Sequence, residues 1–253
     1  MHKGLFSFLV ACASLAILPF EASASPQDYF AIHVVDDQTG RGVPLVRLQT
    51  TNAIRYYTDS SGYVAFNEPG LMNTDVWFSV STDGYECPAD GMGFRGIAVQ
   101  TKPGGSTELK LHRINIAERL YRTTGEGIYR DTVLLGKITP IANGLLNGQV
   151  MGQDTVQTAI YHGKMFWLWG DTEDPYFPLG NFHTSGAASD LPKDLNPDRG
   201  INCEYFVGND GFCRGMAELE RNDNLPVWLD AMMVVNDKSG QPRLFARYAA
   251  KRI

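Results

Sequence analysis

Apolar and polar positions alternate in short runs along most of this chain, the two-residue period of a strand with one buried face. Tyr29 to Val35 forms one run and closes on Asp36-Asp37-Gln38-Thr39-Gly40, a turn composition. Val43 to Leu48 predicts a second strand, with Pro44 near its start, where a missing N–H does least harm. Tyr56-Tyr57-Thr58 leads into the tight turn Asp59-Ser60-Ser61-Gly62, and Tyr63 to Phe66 follows with the same alternation. Val76 to Thr82, the turn Asp83-Gly84-Tyr85-Glu86 and Thr107 to Leu111 complete the set. Short turn-linked strands at this spacing predict an antiparallel β-sandwich over residues 28–113, in a chain that is all-β as a class.

Residues 114–136 read differently. Asn115 can cap a short helix through Arg122, with Ile116 and Leu120 on one face, and Gly125-Glu126-Gly127 ends it. The segment is too apolar for a flexible tether, so a structured connector is expected, packing the sandwich against the C-terminal half. Packing is the reading preferred for Tyr121, Tyr129 and Arg130 over a place in a cleft.

Strand signals resume in residues 137–253. Val156 to Tyr161, the turn His162-Gly163-Lys164 and Met165 to Trp169 predict a hairpin, with Asp154 before it and Gly170-Asp171 closing it. A second hairpin is expected within Pro226 to Tyr248: Trp228-Leu229-Asp230, a strand to Val235, a turn over Asn236 to Gly240, and a return strand from Arg243. Both hairpins open on an acid, Asp154 and Asp230, a faint repeat of two copies. The intervening stretch from Asp171 to Asn224, rich in Gly, Pro, Asp and Asn, is expected to be loops on one face.

The amino terminus reads as an address. Met1-His2-Lys3 is basic, Leu5 to Phe20 is almost wholly apolar, and Ala22-Ser23-Ala24 offers small residues for cleavage, so residues 1–24 predict a secretory signal peptide. The run is too short to predict a transmembrane segment. Leu9-Val10-Ala11-Cys12 matches a lipoprotein box, but the apolar run continues past Cys12, which favours simple export to a secreted, periplasmic or cell-surface location. With 28 acidic against 22 basic residues and no basic block, nucleic acid is a poor partner. Three cysteines remain after leader removal: either Cys203 and Cys213 pair across the Asn209-Asp210-Gly211 turn, or all three, with Cys87, are free thiols. No C-x-x-C spacing, H-E-x-x-H, P-loop, Rossmann fingerprint or G-x-S-x-G elbow occurs, so neither metal nor cofactor is expected.

Two resemblances add to this reading. Asp37 to Leu48, Thr58 to Phe66 and Val80 to Glu86, in that order, resemble the carboxypeptidase-regulatory or transthyretin-like sandwich family. Domains of that kind are usually non-catalytic attachments, and a fold likeness by itself assigns no activity. Gly152 to Thr172, with Asp154 and Leu168-Trp169-Gly170-Asp171-Thr172, resembles the opening blade of the five-bladed β-propellers of secreted glycoside hydrolases. A blade takes roughly 40–50 residues, so the sequence after Gly152 accommodates about two, an incomplete propeller.

The second resemblance implies a sugar site. Glycoside cleavage uses two carboxyl groups; Asp154 would be the base-like acid of the first blade and Asp230 an orienting acid from the second. Trp169 and Trp228 would offer apolar faces to sugar rings, and Asp171 and His183 would contact the ligand. Each has a plainer reading. Asp154 can satisfy backbone N–H groups, Asp171 can make an Asx-turn, and Trp167 and Trp169 share one strand face, which expects a core role for at least one. The expectation is the N-terminal part of an exported, glycoside hydrolase-like protein acting on polysaccharide or oligosaccharide, inactive as this fragment. The alternative is a non-catalytic exported module that binds carbohydrate or protein.

Overall fold

The computed structural model describes residues 24–177, 180, 183–191, 199–217 and 226–250. The expected signal peptide, Cys12 included, falls outside them but for Ala24. Eight strands build the N-terminal half: β1 (Phe30–Asp36), β2 (Arg47–Thr50), β3 (Arg55–Tyr57), β4 (Tyr63–Phe66), β5 (Asp75–Ser81), β6 (Tyr85–Glu86), β7 (Gly96–Gln100) and β8 (Ser106–Arg113). They form two four-stranded sheets, in the orders β4-β1-β8-β6 and β3-β2-β5-β7. Alternate residues of both sheets fill one core, among them Ile32 and Val34 of β1, Phe66 of β4, Phe78 of β5 and Leu109 and Leu111 of β8. Phe66 and Phe78 meet edge to face across the sheets, ring centres 5.0 Å apart.

Three details depart from the sequence expectation. The sandwich is not wholly antiparallel: β1 runs parallel to β8, from Ala31 opposite Ser106 to Asp36 opposite Leu111. β8 enters from the opposite sheet, so no hairpin turn sets its direction, and a parallel neighbour needs only a long crossover. β2 begins at Arg47 rather than Val43, because Leu45 at φ +59° turns the chain first. β7 goes unforeseen; its first residue, Gly96, lies so close to β5 that a Cβ there would sit 2.3 Å from the Phe78 carbonyl oxygen.

The connector is structured, but not as a helix over 115–122. Its polar groups bond outward instead of along the chain. The Arg119 N–H donates to the Tyr85 hydroxyl, and the Arg119 guanidinium donates to the Pro44 and Asp83 carbonyls and the Thr82 hydroxyl. Glu118 pairs with Arg41. The helix comes later, as α1 (Arg130–Leu134). Its docking onto the sandwich uses two buried carboxylates: Asp59 accepts from both the N–H and the hydroxyl of Thr132 at 2.6 Å, and Asp131 accepts from the Ala65 N–H at 2.8 Å.

The second half contains β9 (Gly152–Gln153), β10 (Gln157–Tyr161), β11 (Lys164–Trp169), β12 (Thr172–Glu173), β13 (Ser185–Asp190), β14 (Glu204–Tyr205), β15 (Val227–Asn236) and β16 (Pro242–Ala250). β10-β11-β13-β14 is an antiparallel four-stranded sheet; β9 pairs with β12, and β15 with β16. Both expected hairpins form. The first turns on His162 (φ +47°) and Gly163 (φ +74°), two consecutive left-handed residues as a type I′ turn demands. The stretch expected as loops holds β12, β13 and β14. β13, Ser-Gly-Ala-Ala-Ser-Asp, lacks β-branched and aromatic residues, yet it lies buried beside β11. Its small side chains leave room for large neighbours: a Cβ on Gly186 would meet Met216 at 2.9 Å.

Among the described residues no helix is long and apolar enough to cross a membrane.

Candidate functional site

A cavity of about 310 Å³ opens between the connector and the β10–β14 sheet. Thr123 and Thr124 of the connector form one wall. Trp167 and Trp169 of β11, Tyr205 of β14, Gln153 of β9 and Asp154 form much of the rest. Strand alternation puts Trp167 and Trp169 on one face; their rings are nearly parallel, 5.9 Å between centres and 7° between planes. Tyr205 continues the aromatic row, its ring centre 5.4 Å from that of Trp169.

The row is fixed by hydrogen bonds at its polar ends. The Trp167 indole N–H donates to the Ser189 hydroxyl at 2.9 Å. The Tyr205 hydroxyl donates to the Gln153 side-chain carbonyl at 3.0 Å, and the Gln153 amide donates to the Ser185 hydroxyl at 3.0 Å. Burial drives the Tyr205 hydroxyl far above the usual tyrosine range and pushes the Cys203 thiol, another lining group, up to about 12, with the nearby Cys213 adding to it. Both therefore act at neutral pH as protonated groups.

Asp154 reaches the cavity from a tightly specified backbone. Its N–H donates to the Asp171 carbonyl at 3.2 Å, and its own carbonyl accepts from Gly170 at 2.9 Å. The carboxylate lies against Gly170, where a Cβ would come within 2.1 Å of Oδ1. Thr155 follows at φ +45°, an uncommon conformation for a β-branched residue and one that turns the chain into β10.

The structure brings Asp154 and Trp169 together and leaves the other expected site residues elsewhere. Asp230 lies outside the cavity lining, where Arg247 Nε and Nη2 donate to its two oxygens at 2.8 and 2.6 Å and hold its carboxyl below the usual range. Asp171, read from sequence as an Asx-turn residue or a ligand contact, accepts the Trp228 indole N–H at 3.0 Å. That bond occupies the polar edge of Trp228. His183 Nδ1 accepts the Val227 N–H at 3.1 Å and so anchors the start of β15. Cys203 and Cys213 do not form the disulfide, and Cys87 is likewise outside any disulfide, among the described residues. Across the Gly208–Phe212 turn it is Val207, not Cys203, that pairs with Cys213.

Sequence reasoning missed Gln153 and Tyr205. Gln153 lies within the Gly152–Thr172 stretch, but the blade likeness gives it no role. Tyr205 sits in a two-residue strand whose partner, β13, has no strand signal.

No protein-family model matches this sequence, and no curated protein matches it. The chemistry of the cavity must carry the functional reading.

Proposed function

We propose that this chain is an exported carbohydrate-binding protein and that the Asp154–Trp169 cavity holds an oligosaccharide. The observation that carries the reading is the meeting in one cavity of two parallel indoles, a phenol ring and a carboxylate. Aromatic rings accept the apolar C–H faces of sugars, and a carboxylate accepts their hydroxyl protons. Such pairing of apolar surface with a few placed polar groups is how small-molecule sites gain both affinity and orientation.

Two further observations support the propeller-blade likeness of the second half. β10-β11-β13-β14 is a four-stranded antiparallel sheet whose strands follow chain order, β12 being set aside to pair with β9, a form like that of one blade. An acid followed by a left-handed residue recurs, Thr155 at φ +45° after Asp154 and Ala231 at φ +51° after Asp230, although Asp154 precedes β10 while Asp230 lies inside β15, opposite Arg247 and at a bulge. The likeness between the two copies is limited to this local backbone turn.

Binding is favoured over cleavage by the single carboxylate among the described residues of the cavity lining. Hydrolysis asks for two carboxyl groups flanking one bond, and Asp154 is the one acid among the described residues that line the cavity, with Asp230, expected only to orient, paired to Arg247 away from it. The test is a panel of soluble oligosaccharides assayed for binding by calorimetry and for cleavage by release of reducing ends. Binding without cleavage is expected. Cleavage abolished by Asp154→Asn would replace the binding role with an enzymatic one, and absence of any binding would remove the reading.

A further inference from the structure

A second cavity, of about 390 Å³, lies where the sandwich meets the connector. Its sandwich wall comes from the turns around Thr39, Arg41, Ser60 and Ser61, and its connector wall from Leu120 and Tyr121. The two cavities are consecutive along one stretch of chain: Leu120 and Tyr121 face the second, and Thr123 and Thr124 face the first. At roughly 3.3 Å per extended residue, two positions separate them by under about 7 Å.

A second path links them. Tyr129, which also lines the second cavity, places its hydroxyl against Gly200, where a Cβ would lie 2.9 Å away; the next residue, Ile201, lines the first. The walls are held in place before any ligand arrives. The Ser60 N–H donates to the Ile128 carbonyl at 2.8 Å, the Ser60 hydroxyl accepts from the Arg122 N–H at 3.0 Å, and Glu118 fixes Arg41. A lining of hydroxyls, a fixed guanidinium and a phenol ring matches the hydroxyls and C–H faces of a sugar, and walls already ordered lose little entropy on binding.

We infer that the sandwich–connector cavity is a distal subsite for the same glycan chain, so that a linear oligosaccharide lies across both cavities and the sandwich takes part in binding. The inference rests on the carbohydrate reading of the first cavity.

The experiment measures the affinity of disaccharides and hexasaccharides of each sugar in the panel, for the full chain and for Tyr121→Ala and Ser61→Phe. The second variant fills the cavity from the sandwich side, in case loss of Tyr121 loosens the connector; thermal melts confirm folding. Hexasaccharide affinity is expected to fall about tenfold in both variants, with the disaccharide unchanged. Equal losses for the two lengths, or no loss with folded protein, would overturn the subsite and leave the first cavity's role intact. Failure of both lengths to bind any variant or the parent chain would instead remove the carbohydrate reading and the subsite with it.

Discussion

Trp228 donates its indole N–H to the Asp171 carboxylate at 3.0 Å, tying the second hairpin to the end of β11. The tie is reinforced by the Gln157 side chain, which donates to the Leu229 carbonyl and accepts from the Met232 N–H, both at 3.3 Å. A two-stranded hairpin alone is barely stable in water, so β15 and β16 depend on these bonds to the neighbouring sheet. Trp228→Phe keeps most of the ring and removes the donor. It is expected to cost about 1–2 kcal/mol and to raise amide hydrogen exchange in residues 227–236 before the sandwich is affected.

Asp36 is 1% exposed and accepts from Arg113 Nε at 2.8 Å, with the Gln38 N–H on its other oxygen. Removing Arg113 leaves a buried carboxylate without its cation. Arg113→Ala should cost about 3–5 kcal/mol in urea unfolding. The double variant with Asp36→Asn should recover part of that loss.

Asp131 gives a pH signature. Burial pushes its carboxyl up to about 6, against an ordinary value of 3.8, with Asp59 adding to the rise. The folded state therefore binds more protons than the unfolded chain between about pH 4 and 6, and this group's contribution to stability falls as pH rises through that window. The change amounts to about 3 kcal/mol at most, since each pH unit between the two values is worth about 1.4 kcal/mol. Asp131→Asn retains an acceptor for the Ala65 N–H. Its unfolding free energy, followed by urea titration between pH 4 and 7, should lack this fall relative to the parent chain.

Gly170 separates folding from binding. A Cβ there would collide with an exposed carboxylate end, Asp154 Oδ1 at 2.1 Å, which can swing aside. Gly170→Ala should therefore change stability by under about 1 kcal/mol while lowering oligosaccharide affinity about tenfold. Calorimetric titration beside a thermal melt reads both quantities.

Most sandwich strands and both hairpins are legible in the sequence because their apolar residues alternate and their turns carry Asp, Asn and Gly at the right places; β7 is not, and β6 lies within the expected Asp83–Glu86 turn. The type I′ turn at His162-Gly163 is the clearest case. The hidden elements have physical causes. β13 is built of Ser, Gly and Ala, which suit close approach to Trp167 and Met216 rather than strand propensity, so it reads as loop. The expected helix at Asn115 to Arg122 loses to long-range bonds from Arg119 and Glu118, whose partners lie more than thirty residues away in sequence. At the site, Asp154 and Trp169 are visible as a motif. Gln153 and Tyr205 meet only through the fold, 52 residues apart.

Sugar binding in the Asp154–Trp169 cavity is tested most directly by a tryptophan-fluorescence titration with oligosaccharides, run on the parent chain and on Trp169→Ala. A saturable change in emission that is lost in the variant is the expected result. A change of equal affinity in Trp169→Ala, or no change with any oligosaccharide, would contradict it.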